Sequence, residues 1–189
     1  MAKAVIHRWQ VKQAANRMLS GEVLAYPTEA VWGLGCDPEN QAATMRLLEI
    51  KNRPVHKGLI LVAGSAVQVE FLLDALTPAQ RKKILATWPG PTTWLIPDDG
   101  AMIPWWIKGD HSSVAVRVSA HPLVASLCMA FGGPIVSTSA NKAGQPPAKT
   151  ALKVVKQMGW EIDGLLYGSL GSERSPSRIL DLLSDAVVR

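Results

Sequence analysis

Apolar and polar residues alternate along the chain in two patterns, one typical of helices and one typical of strands. Near the start, four apolar residues recur at helical spacing: Trp9, Ala14, Met18 and Leu19. Gly21 follows them and is a typical residue to end a helix. The next run, EVLAYP at 22–27, predicts a strand that stops at proline. The chain therefore begins with a helix and a short strand.

The same two patterns interleave through the rest of the sequence. Further helices are predicted at 41–52, 66–76, 78–88, 122–131 and 149–159, with starts at Asp37-Pro38, Ser65 and Thr77. Further strands are predicted at 58–64, 92–97, 113–119, 134–138, 165–168 and 178–183. The run GLILVAG is uniformly apolar, which indicates a strand covered on both faces. We predict one α/β domain over residues 1–189, with a twisted, mixed parallel and antiparallel sheet and helices on its faces.

Composition narrows the class of protein. The chain has 189 residues, of which 48% are hydrophobic and 19% charged, so a self-supporting globular core is expected. The net charge of +5 favours anionic partners such as nucleotides or RNA. Cys36 and Cys128 lie far apart outside any metal-binding pattern, which predicts two structural cysteines and no protein metal site. No apolar run approaches a membrane span or a secretory signal, so no membrane partner and a cytoplasmic location are expected.

Cations are concentrated in the segment KNRPVHKG at 51–58. Lys51 and Arg53 follow a predicted helix, where they could stabilise the helix dipole and its terminal carbonyl groups. Alternatively, Pro54 stiffens the loop so that Lys51, Arg53 and Lys57 converge on phosphate oxygens. The pattern allows both interpretations.

The segment YPTEAVWGLG places Thr28 at the exit of a strand, followed by glycines that permit close approach of a ligand. Its hydroxyl could bind a small polar ligand or cap an ordinary turn. Glu29 could serve as a base, as a magnesium ligand or as a structural hydrogen-bond acceptor.

Arg117 lies in the strand SVAVRVS, on the face opposite three valines. Such an arginine needs an anionic partner, either a protein carboxylate or a ligand. His121 precedes Pro122 and is interpreted as a residue that starts a helix. The run IVSTSAN brings hydroxyl groups to the end of a strand, which is a common place for a ligand in an α/β sheet.

Several catalytic classes lack their motifs. The sequence contains no paired carboxylates, Ser-His-Asp set, phosphate-binding P-loop or nucleophile elbow. Cations and neutral donors remain, and these suit phosphoryl or nucleotidyl transfer, in which positioning and charge neutralisation do most of the catalytic work. Trp105 and Trp106 could stack on nucleic-acid bases, although packing in a core or lid is the commoner use of tryptophan.

Six segments, taken in order, resemble the threonylcarbamoyl-AMP synthases of the YrdC type in their short bacterial form: YPTEAVWGLG, KNRP with KGLILV, WPGPTTWLIP, VAVRVSAHPL, STSANKAGQPP and SPSRILD. The resemblance extends from about Val23 to Leu182. It implies a twisted α/β sheet with a concave, basic cleft.

The resemblance also implies a reaction. L-threonine, bicarbonate and ATP would give threonylcarbamoyl-AMP, pyrophosphate and water, the first step of N6-threonylcarbamoyladenosine synthesis in tRNA. Threonine and its carbamate would be bound by Thr28, Arg117, Ser137 and Ser177. ATP would be bound by Arg53, Lys57, Ser113, Ser139 and Asn141, with Lys51 and Arg53 as catalytic cations.

Mg²⁺ would bind mainly through ATP. Expected partners of such an enzyme are a downstream threonylcarbamoyl transferase complex and possible tRNA or other RNA. Two alternatives stay open. One is a non-enzymatic module that binds double-stranded RNA or tRNA, and the other is a carbamoyl-phosphate-using maturation enzyme, which is usually longer.

Overall fold

The computed structural model describes residues 7–173, 175 and 177–188. Its α-helices are α1 Arg8–Leu19, α2 Gln41–Lys51, α3 Glu70–Leu73, α4 Pro78–Leu85, α5 Trp105–Lys108, α6 Pro122–Phe131 and α7 Ala151–Met158. Its strands are β1 Leu24–Pro27, β2 Trp32–Gly35, β3 Ile60–Ala63, β4 Thr92–Pro97, β5 Ser113–Val118, β6 Ile135–Ser139, β7 Gly164–Leu165 and β8 Arg178–Asp181. Two 3-10 turns occur at Val55–Lys57 and Ala66–Val69.

The strands form one sheet in the order β7-β1-β2-β6-β3-β5-β4-β8. Three neighbouring pairs are parallel, namely β1 with β7, β3 with β5 and β4 with β8. The other four pairs are antiparallel. The prediction of an α/β fold with a mixed sheet and helices is confirmed.

The two faces of the sheet are covered unequally. Leu61 and Val116 point into the larger core cluster, on the face covered by α2 and α3. On the other face, Val62 and Ile135 pack with α1 and α6 in a smaller cluster. Side chains alternate along a strand, so Ile60 shares the face of Val62 and lies at the half-buried border of the smaller cluster. Beyond that border, the face is open.

Strand β2 was missed because its glycines suggested a loop. All four of its residues are buried between β1 and β6. A side chain at Gly35 would collide with the Val136 carbonyl and the Tyr26 ring, so glycine is required there for close packing.

Two predicted helix starts were wrong. Helix α2 begins at Gln41, and the Asn40 side chain caps it by accepting a bond from the Ala43 amide, whereas the Asp37 carboxylate accepts from the nearby Glu39 amide. The segment after Ser65 is a 3-10 turn followed by the single turn of α3. By contrast, the predicted start at Thr77 is confirmed by a complete capping box.

The cysteine prediction is confirmed for both residues. Cys36 and Cys128 are buried free thiols, and burial raises the pKa of each to about 12. Neither is positioned to react or to bind a metal. Within the described part of the chain, no helix combines the length and the apolar character that crossing a bilayer requires.

Candidate active site

Two adjoining cavities lie on the open half of the sheet. The smaller has a volume of about 70 Å³ and the larger about 440 Å³. They share a wall made of Val31, Ile60, Ser137, Thr138 and Ser139. The end of β6, which carries the IVSTSAN hydroxyl groups, therefore separates two compartments that a pair of substrates could occupy side by side.

The predicted site residues line these two compartments, and Ser137 and Ser139 in the shared wall face both. The small cavity is lined by Thr28, Arg117, Ser137 and Ser177, the set expected to bind threonine. The large cavity is lined by Lys51, Arg53, Lys57, Ser113, Ser139 and Asn141, the set expected to bind ATP or to act on it. Sequence positions that are up to 149 apart thus converge as expected, although their individual roles stay predictions.

Arg117 has a protein carboxylate as its partner. Its Nη1 atom lies 3.1 Å from Oε2 of Glu29, and both side chains are about nine-tenths buried. The Ser119 hydroxyl donates to Oε1 of Glu29 at 2.6 Å. Burial alone would raise the pKa of Glu29, but Arg117 and Ser119 outweigh it and hold that pKa below its usual value.

The pair with Glu29 does not use all the donors of Arg117. Among the described residues, no group accepts a hydrogen bond from its buried Nε atom. Because Arg117 lines the small cavity, the guanidinium combines a fixed orientation with unused capacity to bind an anion.

Thr28 forms a turn and also faces the small cavity. Its hydroxyl donates to the Val31 carbonyl at 2.7 Å, so the turn interpretation holds. A hydroxyl oxygen that donates in this way still has lone pairs, and Thr28 can therefore accept a bond from a ligand. Glycine at position 33 leaves room for Thr28, because a Cβ atom at Gly33 would lie 3.1 Å from the Thr28 methyl group.

Residues 169–173, 175 and 177, the described part of a loop, close one side of the small cavity. The amides of Gly171 and Glu173 donate to the carbonyls of Thr28 and Glu29 at 3.0 and 3.1 Å. Ser177 bonds to Thr93 of β4 at 3.0 Å. These bonds carry Ser175 and Ser177 to the cavity wall. Pro176 of the SPSRILD segment lies outside the described residues.

His121 contacts the same loop. Its interpretation as a residue that starts a helix is confirmed. It occupies the N-cap position of α6, and its Nε2 atom lies 3.1 Å from the Ser169 carbonyl. Burial is the main cause that lowers its pKa, so the imidazole favours the neutral form and donates to that carbonyl.

Lys51 is buried at the end of α2 and points across to β6. Its ammonium donates to the carbonyl of Ser139 and, at 2.8 Å, to that of Asn141. Burial, followed by repulsion from Arg53, lowers its pKa to about 8. The dipole interpretation required hydrogen bonds from Lys51 to carbonyl groups of its own helix. Lys51 instead donates to carbonyl groups at the end of β6 and in the loop that follows it.

Arg53 likewise donates hydrogen bonds to backbone carbonyl groups, in this case those of its own loop. Its Nε and Nη2 atoms donate to the carbonyl of Gly58 at 3.1 and 2.8 Å, and Nη2 also reaches that of Lys57. Gly58 adopts a φ of 61° and packs against the Lys108 carbonyl, where a side chain would clash. The guanidinium therefore fixes the turn that presents the exposed Lys57 to the large cavity.

Asn141 shapes the loop after β6. Its amide nitrogen donates to the carbonyls of Lys142 and Gln145 at 3.0 and 2.7 Å. Its Oδ1 atom accepts a bond from the Ser139 hydroxyl at 2.5 Å. The oxygen of Ser139, which lines both cavities, therefore keeps its lone pairs available to accept a bond.

Two basic residues of the large cavity were missed from the sequence, Lys108 and His111. Lys108 pairs at 2.8 Å with Asp98, a fully buried carboxylate that also accepts bonds from two backbone amides of its own loop. The signal that could have found them is the run WWIKGDH, which places two more basic side chains immediately before β5. With Lys108, four lysine and arginine residues line a cavity that contains no carboxylate among its described lining residues.

Of the two adjacent tryptophans, Trp106 is packed and Trp105 is exposed. Trp106 packs against the core, and its indole donates to the Pro38 carbonyl at 2.9 Å. Trp105 contacts it edge to face and is exposed. Across residues 7–173, 175 and 177–188, no group of three or more histidine, cysteine or acidic residues could hold a metal ion.

The comparisons with known proteins agree on one protein family. The family model Sua5_yciO_yrdC, described as telomere recombination, matches residues 16–189. A threonylcarbamoyl-AMP synthase of Marinobacter nauticus is 52% identical over 93% of this chain and 92% of its own length. One from Stutzerimonas stutzeri is 51% identical over 98% of this chain and 99% of its own length.

A solved structure extends the similarity to the fold. The crystal structure of P. abyssi Sua5 complexed with L-threonine superimposes with a TM-score of 0.90 at 30% sequence identity. The match covers 98% of this chain but 55% of the longer Sua5 chain. The fold described above is therefore the fold of one part of that protein.

Proposed function

This chain belongs to the Sua5, YciO and YrdC family, and from this premise we propose how its two cavities act in one reaction. The protein is a threonylcarbamoyl-AMP synthase that catalyses the first step of N6-threonylcarbamoyladenosine synthesis. It joins L-threonine, bicarbonate and ATP into threonylcarbamoyl-AMP and releases pyrophosphate and water. This chemistry makes it a nucleotidyltransferase, because AMP is transferred to a carbamate oxygen.

The observation that carries the proposal is the shared wall of β6. It places a small compartment with a buried arginine directly beside a larger one lined by four lysine and arginine residues. The first compartment suits an amino acid carboxylate and the second suits a triphosphate. The relative solved with L-threonine supports threonine as the amino acid.

Threonine is proposed to bind in the small cavity. Arg117 pairs with its carboxylate, while Thr28, Ser137 and Ser177 bond to the remaining polar atoms. Bicarbonate takes up a proton and dehydrates to carbon dioxide, which releases the water. The neutral amine of threonine then adds to the carbon dioxide and loses a proton, which forms the carbamate. Holding the carbamate at the shared wall makes its attack on ATP effectively intramolecular.

ATP is proposed to bind in the large cavity with its α-phosphate at the shared wall. An oxygen of the carbamate attacks the α-phosphorus, and the bond to the pyrophosphate oxygen breaks. Lys51, Arg53 and Lys57 offset the negative charge on the triphosphate, and Ser113, Ser139 and Asn141 orient its oxygens. The reaction forms no covalent bond to the protein, which agrees with the missing nucleophile motifs.

Mg²⁺ is proposed to arrive bound to the phosphates of ATP, where it would neutralise charge on the leaving pyrophosphate. The described lining of the large cavity offers hydroxyl, amide and cationic groups but no carboxylate. The protein's own residues therefore fit a metal held by substrate oxygens rather than by a protein cage.

The partners beyond the substrates are proposals as well. We expect the product to pass to a threonylcarbamoyl transferase complex, because a mixed anhydride with AMP is an activated donor that water destroys. A cytoplasmic location is proposed from the expected role in tRNA modification, and tRNA or other RNA remains an expected partner.

The proposal is tested with the purified chain, ATP, Mg²⁺, bicarbonate and isotope-labelled L-threonine. We expect mass spectrometry to detect labelled threonylcarbamoyl-AMP and a pyrophosphate assay to show equal amounts of pyrophosphate. Omitting threonine or bicarbonate should abolish both signals. Tight RNA binding with a steep salt dependence and no product would instead support the non-enzymatic RNA-binding module.

The buried Lys51 predicts a dependence on pH. Its ammonium is charged below a pKa of about 8, so we expect the rate of pyrophosphate formation to fall as the pH rises through about 8. The contribution of Lys51 to the free energy of unfolding should change in the opposite direction. Since the folded pKa lies below the unfolded value of 10.5, the unfolded chain binds more protons at Lys51 between these two values, and this contribution to stability rises with pH there. Cys36 and Cys128 contribute with the opposite sign above a pH of about 9, because burial raises the pKa of each thiol from 9.0 to about 12.

Both effects are measurable on one sample series. The kcat/KM for ATP, which reports the pKa values of the free enzyme, and urea unfolding curves between pH 7 and 10 give the two trends. The same unfolding series on Lys51→Met lacks this contribution, so the stability of the wild type relative to the variant should rise with pH over this range. A difference that stays constant with pH would show that Lys51 does not titrate there.

A further inference from the structure

A buried ion pair joins the end of β4 to the wall of the large cavity. Asp98 directly follows β4, and its side chain is fully buried. Its carboxylate accepts hydrogen bonds from the Met102 and Ile103 amides at 2.9 and 3.2 Å and from the Lys108 ammonium at 2.8 Å. Burial alone would raise the pKa of Asp98, but these three donors hold it below its usual value, so the carboxylate stays charged. The pair therefore fixes Lys108, the last residue of α5, to a charge inside the protein.

Helix α5 is bonded in turn to residues 55–58, named here the lysine turn. The Leu59 amide, directly after this turn, donates to the Ile107 carbonyl of α5 at 2.8 Å. Just beyond α5, the Asp110 amide donates to the His56 carbonyl at 3.2 Å. These two bonds join the end of α5 to the lysine turn at two points.

The contact between α5 and the lysine turn is too close for a side chain. A Cβ atom at Gly58 would lie 2.8 Å from the Lys108 carbonyl oxygen. One at Gly109 would lie 2.5 Å from the His56 carbonyl oxygen. The φ angles of the two glycines are 61° and 65°, which also favour glycine. Because backbone packs directly on backbone, a shift of α5 displaces the lysine turn with it.

The lysine turn carries cations of the proposed triphosphate site. Arg53 donates to the carbonyls of Lys57 and Gly58, and Lys57 lines the large cavity from the turn itself. A displacement of the turn therefore displaces two cations that are proposed to bind ATP. The described lining of the small cavity includes no residue of the lysine turn or of α5, so threonine is not affected directly.

We propose that Asp98 is a positioning residue for ATP, which acts through Lys108 and α5 to hold the lysine turn in place. This inference rests on the proposed function. Asp98 does not occur among the described lining residues of either cavity, so its effect on ATP is indirect. The buried carboxylate thus determines where Arg53 and Lys57 meet the phosphates.

Asp98→Asn tests this role, because position and charge predict opposite results. The substitution removes a negative charge beside Lys108, so an effect of charge alone would strengthen ATP binding and lower the KM for ATP. We expect the KM for ATP to rise about tenfold instead, because displaced cations contact the phosphates less well. The KM for threonine should stay unchanged. Rates of pyrophosphate formation, with one substrate varied and the other saturating, give both values.

Gly109→Ala disturbs the same contact without changing any charge. Its methyl group would collide with the His56 carbonyl, and the φ of 65° is strained for alanine. We expect this variant to raise the KM for ATP as Asp98→Asn does and to leave the KM for threonine unchanged. It decides the question by itself if Asp98→Asn does not fold.

Asp163→Asn is the matched control. The Asp163 carboxylate also accepts bonds from a backbone amide, that of Val23 at 2.8 Å, and from a basic side chain, that of Arg46 at 2.6 Å. It directly precedes β7, at the far edge of the sheet from β4, and it is absent from the described lining of both cavities. This variant should lose stability in urea but keep both KM values of the wild type.

Hydrogen exchange measures the link between α5 and the lysine turn without any substrate. We expect the amides of Leu59 and Asp110 to exchange faster in Asp98→Asn and in Gly109→Ala than in the wild type, because their bonds join the two segments. In Asp163→Asn, both amides should exchange as in the wild type.

Three results overturn the inference while the wild type is active. An unchanged or lower KM for ATP in Asp98→Asn would show that Asp98 does not position the cations. An equal rise of that KM in Asp163→Asn would show a general effect of lost stability. Unchanged exchange at Leu59 and Asp110 would show that the anchor does not reach the lysine turn. Failure of the proposed function has a different signature, since the wild type would then form no product, and the role of Asp98 in that reaction would fail with it.

Discussion

Replacing Arg117 with leucine is expected to raise the KM for L-threonine roughly 100-fold, equivalent to about 3 kcal/mol of lost charged hydrogen bonding. The KM for ATP should change little, because Arg117 lines only the small cavity. The measurement is the rate of pyrophosphate formation while one substrate varies and the other is saturating.

The same substitution is expected to destabilise the fold. It leaves the carboxylate of Glu29 buried without its positive partner, a change that typically costs about 3 to 5 kcal/mol. A loss of threonine use could then be mistaken for partial unfolding. A double variant separates the two effects.

Arg117→Leu combined with Glu29→Gln removes both charges. We expect this double variant to unfold at a higher urea concentration than Arg117→Leu alone, because no uncompensated charge is left buried. Its KM for threonine should stay as high as in the single variant. Full recovery of threonine use with stability would show that Arg117 has only a structural role.

Replacing Lys51 with methionine is the second change with a large expected effect. It removes one cation from the triphosphate site and should lower the rate of pyrophosphate formation on the order of 100-fold to 1,000-fold. It also leaves the carbonyls of Ser139 and Asn141 without their donor, so we expect a loss of about 2 kcal/mol in the free energy of unfolding.

Lys57→Met provides the control for this variant. Lys57 lines the same cavity but is exposed, so its removal should lower the rate less and leave the unfolding curve unchanged. If Lys51→Met were unstable yet retained the wild-type rate at a temperature where it stays folded, Lys51 would only support the loop and take no part in catalysis.

Prediction from the sequence succeeded where a local signal matched the final structure. Thr77 and Gln80 lie three residues apart and form the capping box that their spacing indicates. It failed at Asp37, whose carboxylate accepts a bond from the Glu39 amide, while the Asn40 side chain caps α2. It also failed at β2, since only the Tyr26 ring and the β6 backbone show why its glycines belong in a strand.

For the candidate site, too, the sequence indicated local features but not contacts between distant residues. The residue types that suit an anionic substrate were visible in order along the chain, and the structure places all of them on the two cavities. The partners of those residues were not visible. Lys51 bonds to carbonyls about 90 residues away, and Arg117 pairs with a carboxylate 88 positions earlier.

The sequence by itself determined the alternation of helices and strands, the α/β class and the types of side chain available for chemistry, because these depend on short-range periodicity and on residue identity. Only the tertiary structure decided which face of the sheet stays open and that β6 divides it into two compartments. Those features arise from contacts between distant segments, and the free energy of such contacts depends on the packing of the whole chain rather than on any local pattern.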